Sequence, residues 1–263
     1  MDWSKIKTIF IVVFFILNIF LLTQLISKIN KNQYEVISDA SLEEKLKGDD
    51  IEYVNMPKGT IEDQHISAKS KKFKESELKN VKKQEITVED DYIIYSTLEE
   101  PVRIGKEFDP SQISAFIHDH VLYGEKYRFW EHDEEENTII YYQEHEEKLF
   151  LKNMNGRLVF YLNDENEIIS YEQTMLEDIE PLREKQEVIP AMKAVELLHE
   201  KGKLKPDSKI TSVELGYYTI VQLTGSQGQV LTPTWHFIVE HNGEKEPLLV
   251  NAFEGRIISQ ENE

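Results

Sequence analysis

Residues 8–27 read Thr8-Ile-Phe-Ile-Val-Val-Phe-Phe-Ile-Leu-Asn-Ile-Phe-Leu-Leu-Thr-Gln-Leu-Ile-Ser27, and no other part of the 263-residue chain is as apolar. The stretch contains 20 residues and no charged side chain. A helix of that length, at about 1.5 Å per residue, spans the roughly 30 Å hydrocarbon core of a bilayer. The sequence therefore predicts a transmembrane helix over residues 8–27, with the rest of the chain tethered to a membrane.

Two other interpretations of this stretch are a cleaved signal peptide and a buried core helix. A signal peptide ends in small residues at its cleavage site, but residues 23–30 are bulky or polar and contain no Ala-x-Ala-like pattern. A helix that is apolar on all sides, at one extreme of the chain, has little protein to pack against. Both interpretations are weaker than a retained membrane anchor.

Lysines on both sides of the span give a near tie in the positive-inside rule, since Lys5 and Lys7 precede it while Lys28 and Lys31 follow it. The net charge of the chain is −19, and residues 1–31 carry +3, so residues 32–263 carry −22. An acidic domain is repelled by an anionic cytoplasmic leaflet. We expect a cytoplasmic N-terminus and an extracytoplasmic C-terminal part.

The composition excludes several classes of function. Cysteine is absent, which excludes disulfides, thiol nucleophiles and zinc–thiolate sites. The acidity argues against nucleic-acid binding, which requires clustered Lys and Arg. G-x-S-x-G, Walker and G-x-G-x-x-G patterns are also absent. The sequence gives no reason to expect an enzyme or a cofactor.

The polar Asn18 lies near the middle of the span, where an unpartnered amide is costly. It can bond to its own helix backbone or to a partner helix. Positions three, four and seven residues away share its helix face. The expected partner-contacting stripe consists of Ile11, Phe14, Phe15, Asn18, Leu22 and Leu25, and the expected membrane-interface anchors are Trp3, Lys5 and Lys7.

After the span, the same order of signals occurs twice. Asp109-Pro110 begins a predicted helix with apolar residues at helical spacing over residues 113–121, and strand-like segments follow. A second helix with Pro190 at its start covers residues 188–199 and is again followed by strands. The predicted fold class is α+β: one N-terminal transmembrane helix, then an exported ectodomain of tandem helix-plus-antiparallel-sheet units.

The predicted organisation divides the chain into six segments. They are a cytoplasmic cap (1–7), the transmembrane helix (8–27), a juxtamembrane stalk (28–40), an N-terminal mixed α/β segment (41–108), a first helix-plus-meander unit (109–180) and a second, PepSY-like helix-plus-sheet unit (181–263). Each sheet is expected to bury one face under its helix and to leave the other face in water. On that expectation, one of the neighbours Trp235 and His236 is buried and the other exposed.

Histidines and acids cluster at two places in the first unit, at residues 132–136 and 145–147, with His118 and His120 upstream. Their spacing matches neither HExxH nor an EF-hand loop, and His118 and His120 face different ways on a helix. Runs of charge are usually solvated. No metal site is predicted here.

Two stretches carry a resemblance to a known family: Met1-Asp-Trp-Ser-Lys-Ile-Lys-Thr-Ile-Phe10 with its following span, and Asn251-Ala-Phe-Glu-Gly-Arg-Ile-Ile258. The chain resembles the YycI family, also called WalI. The resemblance implies a membrane-anchored accessory regulator of the WalK–WalR two-component system of low-GC Gram-positive bacteria. It implies two partners, a WalK-like sensor kinase and a YycH-like protein, with transmembrane helix contacts carrying much of the effect on cell-wall control.

Two functions from other classes remain open at this stage. The PepSY-like character of the second unit is compatible with an exported inhibitor or chaperone of a peptidase. A wall-associated enzyme with paired carboxylates is the other alternative, because 49 acidic residues produce pairs by chance. The sequence indicates neither the sign of regulation nor a small-molecule ligand.

Overall fold

The structure is a computed structural model that describes residues 3–32, 39–79, 81–105, 108–221 and 228–258. Its helices are α1 (Trp3–Asn32), α2 (Asp39–Gly48), α3 (Glu75–Leu78), α4 (Ser111–His120) and α5 (Ala191–Glu200). Its strands are β1 (Glu52–Tyr53), β2 (Glu62–Asp63), β3 (Ile66–Ser70), β4 (Gln84–Glu89), β5 (Ile93–Arg103), β6 (Tyr127–Asp133), β7 (Thr138–His145), β8 (Lys148–Leu149), β9 (Arg157–Leu162), β10 (Glu167–Gln173), β11 (Leu176–Pro181), β12 (Gln186–Glu187), β13 (Lys209–Tyr218), β14 (Gln229–His241), β15 (Glu244–Asn251) and β16 (Ile257–Ile258). An apolar N-terminal helix followed by a sheet-rich part confirms the predicted α+β class.

The N-terminal helix α1 is longer than the predicted span, because its backbone stays helical from Trp3 to Asn32. Residues 28–32 of the expected stalk continue this helix, and residues 39–40 already belong to α2. Residues 33–38 lie outside the described part of the chain. The stalk is therefore helical at both of its described ends.

The first sheet has the strand order β4-β5-β10-β9-β7-β6, with β8 paired to β7. Strands β6, β7, β9 and β10 form the antiparallel meander that follows α4. Asp109 Oδ1 accepts the Ser111 N–H at 2.9 Å at the start of α4. Ile113 and Ile117, one turn apart, then pack on the sheet beside Phe160.

The second sheet has the order β1-β13-β14-β15-β16, and β3 and β11 join it through β14. Its core lies under α5, whose buried face includes Val195 and Leu198. Trp235 is buried there and donates its indole N–H to the Ile189 carbonyl at 2.8 Å. Gly202, with φ +65°, follows the end of this helix, as glycine commonly does.

The two sheets also contact each other through the faces that lie away from their helices. Tyr142, Leu149, Leu151 and Leu249 form one buried cluster from both sheets. The expectation that each sheet leaves its second face in water is therefore wrong for this part of the molecule. The alternation of residues along each strand indicated two different faces. Both faces carry apolar residues here, and the second face is covered by the other sheet.

Gly216 marks a close approach between the two sheets. A Cβ placed on it would lie 2.8 Å from both the Leu149 carbonyl oxygen and Leu151 Cγ. The Leu151 N–H donates to the Tyr217 carbonyl at 2.8 Å at the same place. Glycine is required because a side chain would push the backbone of β13 away from the segment after β8.

Residues 41–108 are shared between the two cores. Leu42 and Leu46 of α2 pack with α5, while β4 and β5 extend the first sheet. β3 pairs with both β11 and β14. The division into units and the internal repeat stay predictions. Superposition of the unit around α4 on the unit around α5 would test the repeat.

Candidate functional site

Helix α1 exposes the described side chains of its apolar part. The window from Lys7 to Gln24 meets the length and composition of a membrane span, and none of it is buried. α1 thus contains a candidate single membrane span. Its window begins one residue before the predicted 8–27 and ends three residues before the end of that range. An exposed apolar helix of this kind requires lipid or another helix around it.

The predicted stripe lies on one face of this helix by its spacing. Ile11, Phe14, Phe15 and Leu22 are all exposed, and the side chain of Leu25 lies outside the described residues. Asn18 donates its Nδ2 hydrogen to the Phe14 carbonyl at 2.8 Å. The amide therefore bonds to its own helix, and this bond uses one of its two N–H groups.

The predicted interface anchors adopt a matching arrangement at the start of α1. Lys7 Nζ lies 4.7 Å from the centre of the Trp3 ring. A cation over an indole face is a favourable pair, and both residue types are enriched where a helix leaves the bilayer. The side chain of Lys5, the third expected anchor, is outside the described residues.

A second candidate site is a group of polar side chains between the two sheets, which we call the inter-sheet cluster: Arg128, Trp130, Glu144, Glu214 and His236. Arg128 Nη2 donates to Glu214 Oε2 at 2.7 Å, and Arg128 Nε lies 2.8 Å from Glu144 Oε2. His236 Nδ1 lies 3.1 Å from Glu214 Oε1. The arginine of one sheet is thus paired with carboxylates of both sheets.

An aromatic stack forms the second part of the inter-sheet cluster. The Trp130 and His236 rings stack with centroids 4.7 Å apart. Burial alone would raise the pKa of Glu214, but the His236 hydrogen bond and the Arg128 charge outweigh it, so the pKa lies below its usual value. The cluster therefore holds an ionised carboxylate between the sheets.

His236 corrects the expectation for the Trp235–His236 pair. Both side chains are buried, Trp235 at 1% and His236 at 4% exposure. The two residues do point to opposite faces of β14, as a strand requires. His236 is buried because the face that was expected to meet water meets the first sheet instead.

A third polar contact joins the short strand β2 to both sheets. Asp63 is buried, accepts a hydrogen bond from the Tyr217 hydroxyl at 2.7 Å, and lies 2.8 Å from Lys148 Nζ. Burial, and then the bond to Asp63, raise the pKa of Tyr217. A buried charge with two partners fixes the register of three segments.

The histidines and acids weighed as metal ligands are dispersed over the first unit. His118 Nδ1 bonds to Asp119 at 2.8 Å, and the His120 ring stacks on Phe116. Asp133 Oδ1 accepts the N–H groups of Glu135 and Glu136 in the turn between β6 and β7. Among the described residues no group of three such side chains is arranged to hold a metal ion.

Sequence reasoning did not identify Arg128, Glu144 or Glu214 as members of a site. Arg128 and Glu214 are 86 residues apart in the chain. The available signal was a charged residue beside apolar or aromatic neighbours in each of three strands: Arg128 in β6, Glu144 in β7 and Glu214 in β13. Such a residue is either at an exposed position or paired across an interface, and a single sequence does not distinguish the two.

Comparisons with known proteins agree with the resemblance of the sequence to the YycI family. The model of the family described as "YycI protein" matches residues 31–253. A search of curated proteins gave no significant match.

Three solved structures show a distant similarity. One is an uncharacterized protein from Eubacterium rectale (10% identity, TM-score 0.47, covering 81% of this chain and 92% of that one). The second is YycH from Bacillus subtilis (15% identity, TM-score 0.37, 70% of this chain and 52% of that one). The third is the C-terminal domain of YpeB from Bacillus megaterium (11% identity, TM-score 0.37, 85% of this chain and 95% of that one).

Proposed function

The chain belongs to the YycI family, and from that premise we propose that it is a non-enzymatic regulator which modulates a WalK-like sensor histidine kinase together with a YycH-like partner. Membership of this family implies an accessory role in two-component signalling. The family match over residues 31–253 is the observation that carries the proposal. The cellular process under control is then the metabolism of the cell wall.

The proposed topology is a single pass with residues 1–7 in the cytoplasm and residues 28–263 outside. The charge of −22 on residues 32–263 supports this orientation, because the anionic cytoplasmic leaflet repels an acidic domain, which is therefore more stable on the outer side. Protease added to protoplasts should degrade the C-terminal part while cells stay unbroken. Full protection, or release of a soluble C-terminal form into the medium, would contradict the topology.

The proposed contact with the kinase complex runs along the stripe of α1 centred on Asn18. Phe14, Phe15 and Leu22 supply side-chain packing, and Asn18 has a second N–H group and Oδ1 beyond its bond to Phe14. An interhelical amide bond contributes about 0.6–2 kcal/mol in a membrane. That energy is small against insertion of the whole span, but it changes association several-fold.

The test compares Asn18→Leu with Leu17→Ile, a change beside the stripe. Asn18→Leu should leave the protein inserted and abundant but should reduce co-purification with the kinase and shift a target-promoter reporter. Leu17→Ile should behave as the unchanged protein. Equal output from both variants, at equal membrane levels, would move the partner contact from the helix to the ectodomain.

Two alternative functions receive no support from the described residues. An exported inhibitor or chaperone of a peptidase would require a peptidase contact, and a wall-associated enzyme would require a catalytic pair in a cleft. The Glu144 and Glu214 carboxylates both pair with Arg128, and the His236 ring stacks on Trp130, which is the arrangement of a structural contact.

A further inference from the structure

The first sheet has one side that is only partly covered. On its helix side, Ile94 and Phe160 are buried in the core beside α4. On the other side, Ile140 and Tyr142 of β7 pack against the second sheet. This cover does not reach Tyr95 of β5, which is 37% exposed on the same side. We call the part of this side that β4, β5, β10 and β9 form the open face.

Two tyrosines and a carboxylate stand at the centre of the open face. Tyr161 of β9 is 36% exposed, nearly as much as Tyr95. Glu172 of β10 lies between these strands, opposite Tyr95 in the register, and accepts a hydrogen bond from the Tyr161 hydroxyl at 3.4 Å. The strand spacing and a two-residue offset place the Cα atoms of the two tyrosines roughly 12 Å apart. One extended segment is long enough to reach both rings.

Acidic side chains surround Tyr95. Thr87 of β4 lies opposite Tyr95, so Glu85 and Glu89 are its diagonal neighbours at about 7–8 Å. Both of these glutamates are exposed. Together with Glu172 on the other side, they place three carboxylates around one exposed ring.

The basic residues of the open face already have acidic neighbours. Arg157 Nη2 lies 3.0 Å from Glu172 Oε1. Lys83 precedes β4, and its carbonyl accepts the N–H of Glu99 on the neighbouring strand. The cross-strand neighbour of this lysine is therefore a carboxylate. The charges left to attract a partner are those of the two β4 glutamates.

The tyrosine hydroxyls also respond to the negative potential. Burial, and then the charges of Glu172 and Glu89, raise the pKa of Tyr95. Burial, and then the charge of Glu172, raise the pKa of Tyr161. A cation over either ring meets the negative ring face and the nearby carboxylates together. Arginine fits this place best, because its planar guanidinium stacks on an aromatic ring and also pairs with a carboxylate.

We propose that the open face binds an extended, arginine-bearing segment of a protein partner, whose guanidinium groups stack on the two tyrosines and pair with the β4 glutamates. Polypeptide already packs on the adjoining part of this side, since Ile140 contacts the second sheet and lies opposite Val159 of β9. A second copy of this chain is a poor occupant, because its net charge is −19. The binding uses no residue of α1 and does not depend on the function proposed above.

The binding experiment uses the full chain in nanodiscs of phosphatidylcholine and a blocked fluorescent peptide, Gly-Arg-Thr-Arg-Thr-Arg-Gly, read by fluorescence anisotropy at low salt. One control peptide has citrulline, which keeps the shape of arginine without its charge, and a second has lysine. The citrulline peptide should bind at least about tenfold more weakly, and the lysine peptide about two- to fivefold more weakly. Equal affinities for the arginine and citrulline peptides, or equal binding to empty nanodiscs, would overturn the proposal. Equal affinities for the arginine and lysine peptides would overturn stacking on the tyrosines.

Charge variants test whether the peptide binds at the open face. Glu85→Gln with Glu89→Gln should weaken binding of the arginine peptide by about three- to tenfold. The matched control is Glu244→Gln with Glu246→Gln, which removes the same charge from two exposed glutamates of β15 in the second sheet. The control should bind as the unchanged protein does. Equal losses from both double variants would show that the peptide senses only the net charge of the chain and would overturn the site.

Tyrosine variants test the stacking. Tyr95→Leu should weaken binding of the arginine peptide by about two- to fivefold, while Tyr95→Phe keeps the ring and should retain binding. Tyr53→Leu is the control, because Tyr53 is also 37% exposed but lies in β1 of the second sheet. Equal affinities of Tyr95→Leu and Tyr53→Leu would contradict the assigned ring. Asn18→Leu should leave peptide binding unchanged, so a failure here is distinguishable from a failure of the proposed function.

Discussion

In α1 every described side chain from Lys7 to Gln24 is exposed, whereas in the sheet-rich part of the chain even charged groups such as Asp63 are buried between segments. The helix satisfies its one central amide by a bond to its own backbone. The sheet-rich part satisfies several of its polar groups by bonds between strands that are far apart in the chain. The helix therefore still has a surface for partners to cover, whereas the core of the sheet-rich part is already covered by its own strands.

This comparison predicts opposite results for the same substitution in the two regions. Phe160 is fully buried in the first sheet, while Phe15 is exposed on α1. Phe160→Ala should lower the stability of the sheet-rich part by about 3–5 kcal/mol, because it removes a core side chain and leaves a cavity. Thermal unfolding of the full chain in nanodiscs should show a Tm lower by roughly 6–20 °C.

Phe15→Ala is the matched control for this measurement. It should leave the Tm of the sheet-rich part unchanged, since an exposed ring on α1 is expected to contact lipid or a partner helix. An equal loss from both variants would show that the helix packs on the sheet-rich part, contrary to its exposure.

The helices and most strands were predictable because their signals are local. Ile113 and Ile117 repeat at helical spacing, and the Pro residues before α4 and α5 identify their starts. The contact between the sheets was not predictable. Trp130, Tyr142 and His236 each belong to the alternating pattern of a strand, but alternation does not tell whether the second face meets water or another sheet. The inter-sheet cluster was missed for the same reason.

The pH dependence of stability should come from the sheet-rich part of the chain, because residues 8–27 contain no ionisable group. A hydrogen bond from the Tyr123 hydroxyl at 2.6 Å is the largest cause that lowers the pKa of Glu77 to about 2 from 4.5. The Lys74 backbone N–H and the Lys71 ammonium group add to it. The stabilisation is therefore complete above pH 4.5 and is lost as the pH falls through about 2.

Glu77→Gln should remove this acid-side dependence. In the unchanged protein, the free energy of unfolding should fall by about 2–3 kcal/mol between those two pH values, and the variant should show a flatter curve. Glu75→Gln, an exposed change in the same short helix, is the control. Parallel curves for Glu77→Gln and the unchanged protein would contradict the assigned bond.

The inter-sheet cluster should make a smaller contribution to the free energy of unfolding. Arg128→Met leaves Glu144 and Glu214 facing each other without a cation and should cost about 1–2 kcal/mol, since the arginine is 41% exposed. Arg103→Met removes an arginine of 79% exposure from its pair with Glu167 and should change stability by less than about 0.5 kcal/mol. Urea unfolding at neutral pH measures both. Equal losses would show that the cluster contributes no more than a surface ion pair.

Photo-crosslinking in native membranes tests the proposed contact between the stripe of α1 and the kinase complex. Benzoylphenylalanine would replace Phe14 or Phe15 on the stripe, and Phe20 as the control. Phe20 lies two residues after Asn18, which places it about 200° around the helix. Adducts with the sensor kinase or the YycH-like protein should form from Phe14 and Phe15 and be several-fold weaker from Phe20. Equal adducts from all three positions, or none from any, would contradict a contact through the stripe.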